Sequence, residues 1–129
     1  MNYLLDTHVL IWYLNKNYEM ISPNLLRTLQ NPNNHIFISI ASLWEITIKQ
    51  NIGKFKPDLE IKDIFSYIYK SSTILLNIEE KHLLEYRHLP LIHRDPFDRL
   101  IIATAISENL TLITHDRKIQ EYPITWLWG

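Results

Sequence analysis

The sequence predicts an α/β fold: a central parallel sheet of about five short strands, flanked by helices in a three-layer α/β/α arrangement. Three observations predict it. The apolar runs are short and continuous rather than alternating, as in Tyr3-Leu4-Leu5 and Ile36-Phe37-Ile38, and strands of that kind are covered on both faces. Stretches with apolar residues at helical spacing lie between them. The 129 residues contain no linker, internal repeat or low-complexity segment, so residues 1–129 are expected to form one domain around one core.

Taken in order, residues 2–5 read as a buried strand and lead at once into a helix with Val9, Leu10, Trp12, Tyr13 and Leu14 on a broad apolar face. Asn15-Lys16-Asn17 ends that helix. Ser22-Pro23 starts the next one, serine as N-cap and proline at the first helical position, and Leu25, Leu26 and Leu29 give it a buried side. The turn Asn31-Pro32-Asn33-Asn34 precedes the strand 36–38. In the following helix Ile40, Trp44, Ile48 and Ile52 form one i, i+4 row, Ser42, Glu45 and Lys49 lie on another side, and Gly53 is the expected C′ residue. Residues 54–58 connect to a helix over 61–69 with Ile61, Ile64, Phe65 and Ile68 periodic. A strand over 73–76, a weak helix over 79–86 and a proline-interrupted loop over 87–95 come next. Pro96 opens the clearest helix, to about Glu108. Residues 110–113 are a strand, 115–119 a helical turn and 124–126 a last strand.

Composition narrows the chemistry. With no cysteine there is no disulfide framework, thiolate metal site or cysteine nucleophile. No apolar run approaches the ~20 residues that span a bilayer. Asp6 interrupts the N-terminus early, so no signal peptide is expected and the cytoplasm is the expected location. Net charge is −1, with 13 Lys+Arg against 14 Asp+Glu. Setting four acids aside for a metal leaves a slightly basic remainder, which a polyanion tolerates.

Those four are Asp6, Glu45, Asp98 and Asp116. Asp6 ends the first strand, Asp116 follows the strand over 110–113, and Asp98 lies in the first turn of its helix. In open α/β sheets ligands bind beyond the carboxyl ends of strands. Each acid also has a plain structural role open to it. Asp6, Asp95 with Pro96, and Asp116 can cap helices, and Glu45 can pair with Lys49 one turn on, worth ~0.3–0.5 kcal/mol. As a set, several carboxylates repel unless a cation offsets them, and a hard divalent ion with oxygen ligands does so. Such an ion polarises a phosphodiester and lowers the pKa of a water, so no protein nucleophile is needed.

Four segments carry a family resemblance. Leu4-Leu5-Asp6-Thr7-His8, Ser39-Ile40-Ala41-Ser42-Leu43-Trp44-Glu45, His93-Arg94-Asp95-Pro96-Phe97-Asp98-Arg99 and Leu112-Ile113-Thr114-His115-Asp116 span nearly the whole chain. In this order they resemble the PIN-domain nucleases, most closely the VapC toxins of bacterial type II toxin–antitoxin pairs. The resemblance implies Asp6, Glu45, Asp98 and Asp116 as metal ligands and catalytic acids, with Thr7, Asp95 and Thr114 orienting them. It further implies one or two Mg²⁺ or Mn²⁺ ions, an RNA substrate, a cognate antitoxin and a homodimer. The antitoxin is expected in an apolar groove among the helices near Trp12, Leu25 and Phe65.

Lys49, Lys54 and Lys56 follow Glu45, and Arg94 and Arg99 flank Asp98 together with Arg87, His88 and His93. They are candidates to steer RNA phosphates, or equally an ordinary solvated surface. The histidines lack metal-ligand spacing, and His8 and His115 are assigned to packing or phosphate contact. Spacing assigns Trp12, Trp44, Trp126 and Trp128 to the core or an interface, with Trp126-Leu127-Trp128 docking on the domain or on a partner. Two other functions fit the broad pattern. A receiver-like Mg²⁺-binding signalling module would need an acidic pair at the first strand, where Thr7 follows Asp6. A catalytically silent PIN-like domain that binds RNA or protein would not need the acids intact.

Overall fold

Strand β1 (Asn2–Leu5) is the middle strand of a five-stranded, all-parallel sheet in a computed structural model that describes residues 1–54 and 59–129. The chain continues through α1 (Thr7–Leu14), α2 (Pro23–Gln30), β2 (His35–Ser39), α3 (Ile40–Asn51), α4 (Ile61–Lys70) and β3 (Ile74–Leu76). It ends through α5 (Glu80–Tyr86), α6 (Pro96–Glu108), β4 (Thr111–Ile113), α7 (Arg117–Gln120) and β5 (Trp126–Leu127). Strand order is β3-β2-β1-β4-β5. The chain builds outward from β1 on one side, then returns to the other, so the order reverses at the β1/β4 boundary. There Leu5 pairs with Ile113, and Asp6 and Thr114 follow directly.

Alternate strand residues feed two cores. Tyr3, Leu5, Ile36, Ile38 and Ile113 pack with Leu10, Leu25, Leu43, Ile46, Ile64 and Ile68 from α1 to α4. Leu4 and Leu112 pack on the other face with Ile101, Ile102 and Ala105 of α6, and with Ile119 and Tyr122. Each fully buried aliphatic side chain contributes roughly 1.5–3 kcal/mol of transfer free energy. This is the layered α/β sheet that the continuous apolar strands predict.

Local chemistry sets the helix ends. Ser22 accepts from Leu25 N at 3.1 Å and Ser39 from Ala41 N at 3.0 Å. Gly53 takes the left-handed conformation just past α3 (φ +71°), as expected of a C′ residue. Asn109 does the same after α6 (φ +55°), where an asparagine tolerates it.

Three elements differ from expectation. A 3-10 turn, Tyr18–Met20, lies ahead of α2. The last strand starts at Trp126 rather than 124, because Tyr122 to Ile124 is a tight turn in which Ile124 N donates to Tyr122 O. In α3 the i, i+4 row points outward: Trp44 is 54% exposed and Ile52 55%. The buried side is Ala41, Ser42, Leu43 and Ile46. That helix carries two apolar rows, and β2 runs into it without a loop, so the strand fixes its rotation. Among the described residues no helix is long and apolar enough to cross a membrane.

Candidate active site

Capping chemistry sets the orientation of three aspartates. Asp6, at the end of β1, accepts from His8 N through Oδ1 at 3.4 Å. Its Oδ2 accepts from the Thr114 hydroxyl at 2.7 Å, just beyond β4. Asp116 caps α7 with Oδ1, which accepts from Lys118 N at 2.8 Å, while its Oδ2 turns to His93. Asp95 caps α6 by accepting from Asp98 N at 2.9 Å. The structural role of each acid and its place in a shared cluster thus coexist. One carboxylate oxygen is tied to a helix start, and that tie aims the other.

Asp98 and Glu45 complete the cluster. Glu45 lies 3.4 Å from Lys49 through Oε2, the helical pair expected. Its Oε1 is buried and has no hydrogen-bond partner, a costly state for a carboxylate oxygen. Donor atoms of Glu45, Asp95 and Asp98 lie within 4.8 Å of one another, as do those of His93, Asp98 and Asp116. Asp98 belongs to both groups. Asp6 stands beside them, joined through Thr114, which also accepts from Asp116 N at 3.1 Å.

Electrostatics report the crowding. The Asp98 carboxyl is pushed up to about 8, first by burial and then by the charges of Asp6, Asp95, Glu45 and Asp116. Burial also raises the Asp6 carboxyl, against the hydrogen bond from Thr114 and the nearby His8. An acid that stays protonated beside an orphaned carboxylate oxygen is short of a cation. A hard divalent ion with oxygen ligands fits this donor set. Asp98, Asp116, Glu45 and Asp6 are the residues that would hold it.

Two assigned residues sit elsewhere. Thr7, expected to orient a carboxylate, instead shares a buried 2.8 Å hydrogen bond with Ser42 Oγ and ties α1 to α3. Arg99, expected to contact RNA, is buried. Its Nη1 donates to Pro90 O at 3.0 Å, His93 O at 3.2 Å and Tyr122 Oη at 3.2 Å, and its guanidinium lies over the Tyr86 ring. Successive helix residues diverge by 100°, so the neighbour of Asp98 faces inward. Arg99→Met should keep the stem but take from the Pro90 carbonyl its donor and weaken the bonds around Tyr122 Oη and His93 O, destabilising the fold by about 1–3 kcal/mol in urea unfolding. Arg99→Lys should recover only part of it, since the shorter side chain has no guanidinium plane to lie over the Tyr86 ring. Stability equal to wild type in Arg99→Met would refute this role. Lys49, Lys54 and Arg94 are on the surface. Lys56 lies outside the described residues.

Some residues stand in or beside the acid cluster although the sequence suggests other roles for them, with His93 among the candidates to steer phosphates. His93 enters the acid cluster, 3.1 Å from Asp98 Oδ2. The signal for it is local: a histidine two residues ahead of an aspartate N-cap can accept that residue's N–H. Trp44 and Phe97 meet edge to face, 5.0 Å between centroids, beside Glu45 and Asp98. Trp128 packs on Trp12 and His115 beyond Asp116, so the chain end docks on its own domain. A second acid–histidine group, Glu79, His82 and Glu108, ties α5 to the end of α6. There Lys81 neutralises Glu108, and His82 Nδ1 accepts from Glu79 N.

A parallel sheet with an acidic cleft at its reversal point defines a class of α/β proteins whose ligands bind at strand carboxyl ends. Within that class the PIN-domain family model matches residues 3–124, and the chain belongs to the PIN-domain family. Among solved structures it is similar to VapBC2 from Rickettsia felis bound to a DNA fragment from their promoter, with 26% identity, all of both chains covered and a TM-score of 0.75. It shares the fold of VapBC-1 from nontypeable Haemophilus influenzae at 23% identity, covering 98% of this chain and 97% of that one, with a TM-score of 0.66. No curated protein matches the chain significantly. The resemblance drawn from the four motifs, to VapC-type PIN proteins, agrees with these neighbours.

Proposed function

We propose that this protein is a Mg²⁺- or Mn²⁺-dependent endoribonuclease and the toxin of a type II toxin–antitoxin pair. The observation that carries the chemistry is the convergence of Asp6, Glu45, Asp98 and Asp116, with Glu45 Oε1 buried and unpaired and Asp98 raised to about 8. One or two divalent ions, when bound, supply charge to a phosphodiester and acidity to a water. The chain's own residues do the positioning. Thr114 holds Asp6 and the Asp116 backbone together, and Asp95 fixes the first turn of α6 that presents Asp98. The cleft beside Asp6 and Asp116 is small and open, lined by His8, Val9, Trp12 and His115. That suits a polymer that offers one phosphate at a time. Lys49, Lys54 and Arg94 are exposed or partly exposed bases available to the flanking phosphates.

A mainly apolar cavity of about 290 Å³ is away from these acids, lined by Leu5, Leu10, Tyr13, Leu29, Ile36 and Tyr67. It belongs to α1, α2 and α4, the helices expected to receive an antitoxin, and the Rickettsia and Haemophilus neighbours are VapBC structures. The exposed row Trp44, Ile48 and Ile52 on α3 supports a homodimer. A cytoplasmic location follows from the antitoxin and the RNA substrate.

Cleavage of structured RNAs by the purified protein is the test. Cleavage is expected with Mg²⁺ or Mn²⁺ and is expected to stop in EDTA. Cleavage that persists in EDTA would refute the metal-dependent mechanism. A protein that binds Mn²⁺ and RNA without cutting any RNA would favour the binding-only alternative.

A further inference from the structure

His93 has the placement of a metal ligand and the wrong proton for one. Its Nε2 lies 3.1 Å from Asp98 Oδ2 and 3.2 Å from Asp116 Oδ2. Its Nδ1 accepts a hydrogen bond from the Asp95 backbone N–H at 3.1 Å. A nitrogen that accepts carries no proton, so the ring's proton is on Nε2 and points into the acid cluster. A neutral imidazole that ligates through Nε2 must carry its proton on Nδ1. Here that proton would meet the Asp95 N–H head on. The backbone that carries the ring is itself held in place. The His93 backbone N–H donates to Tyr122 Oη at 2.8 Å, and its carbonyl accepts from Arg99 Nη1 at 3.2 Å.

We infer that His93 is a positioning residue of the cation site proposed above: it does not ligate the metal, but its Nε2–H donates to the acid cluster and holds Asp98 and Asp116 together. These two acids come from different elements, the first turn of α6 and the cap of α7. Both are anionic when a cation is bound, and like charges at this spacing push apart. The Nε2–H bond to Asp116 Oδ2, made with Asp98 Oδ2 in contact at 3.1 Å, opposes that separation. Each carboxylate oxygen has a second lone pair, so donation from His93 and ligation of an ion are compatible. The ligand set then stays all-oxygen, which suits Mg²⁺ and Mn²⁺ rather than ions that seek nitrogen.

The test titrates Mn²⁺ into the full chain, stripped of metal, by calorimetry, for wild type, His93→Ala, His93→Gln and Asp98→Asn. Melting in EDTA confirms that each variant folds. His93→Ala is expected to weaken Mn²⁺ binding about 10–100-fold. His93→Gln places an amide N–H near the Nε2 position and is expected to recover most of the loss. Electron spin echo modulation of the Mn²⁺-loaded wild type should show no directly coordinated nitrogen. Wild-type affinity in His93→Ala, with affinity lost in Asp98→Asn, would overturn the role of His93 and leave the cation site standing. Direct nitrogen coupling would overturn it in favour of ligation. Wild-type affinity in both variants would overturn the cation site itself.

Discussion

Asp98→Asn should abolish activity and at the same time make the metal-free protein more stable. If the proposed function holds, removing the carboxylate shared by both donor groups should lower RNA cleavage by about 100-fold or more. Stability should move the other way. Asp98 is 8% exposed, and its carboxyl is raised from 3.8 to about 8 by burial and four neighbouring carboxylates. At pH 7 without metal it is mainly protonated in the fold, whereas the unfolded chain ionises it freely. That difference works against folding. Asparagine has the shape of the neutral acid and no proton to lose. Discounted for relaxation of the site, the gain is about 1–3 kcal/mol, or on the order of 5–10 °C in melting temperature in EDTA. The opposite signs separate this outcome from simple misfolding, which lowers both. Equal cleavage by the variant and wild type would mean that the acids are not the active site. A lower melting temperature in EDTA would mean that the cluster is not under electrostatic strain.

How legible the site was depends on the range of the chemistry involved. The Asp95-Pro96-Phe97-Asp98 run could be read because an N-cap and a first-turn proline act over three residues, and the cap forms as expected. Asp6 and Asp116 could be placed because each follows a short apolar strand, and a parallel sheet brings strand ends to one edge. Rotation about helix axes was less legible. Glu45 reaches the cluster, while Trp44 next to it, assigned to the core or an interface, lies outside the core, because α3 offers two apolar rows and the choice is made by β2 and the Thr7–Ser42 contact. Arg99 was misplaced for a related reason: closeness in sequence to Asp98 says nothing about sharing its face. His93 depended on contacts across space. Its partners include Asp116, 23 residues on, and Tyr122, 29 residues on. Only the local bond from Asp95 N to its Nδ1 is encoded by spacing, and the long-range contacts are not.

The metal-free protein should lose stability as pH rises, and a divalent ion should reverse the trend. Asp98 binds its proton more tightly in the fold than in the unfolded chain, as does Asp6. Between about 4 and 8, therefore, the native state holds more protons than the unfolded state. Stability then falls with pH at up to about 1.4 kcal/mol per pH unit for each such proton. The sign is opposite to the usual salt-bridged aspartate, whose stability is lost as pH falls. Asp98 has no penalty below 3.8 and its full penalty above about 8, so the decline should level off there. A divalent ion competes with the same protons for the same oxygens. Its affinity should rise through this window, and the gap between melting in Mg²⁺ and in EDTA should widen with pH. Thermal melts from pH 5 to 9, with and without metal, measure both curves, and Asp98→Asn should flatten most of the EDTA curve. A metal-free protein whose stability climbs from pH 5 to 8 would show that the carboxylates are already compensated from within. Lys49 and His93 would then hold the cluster together on their own, and the cleft would have no electrostatic demand for a cation.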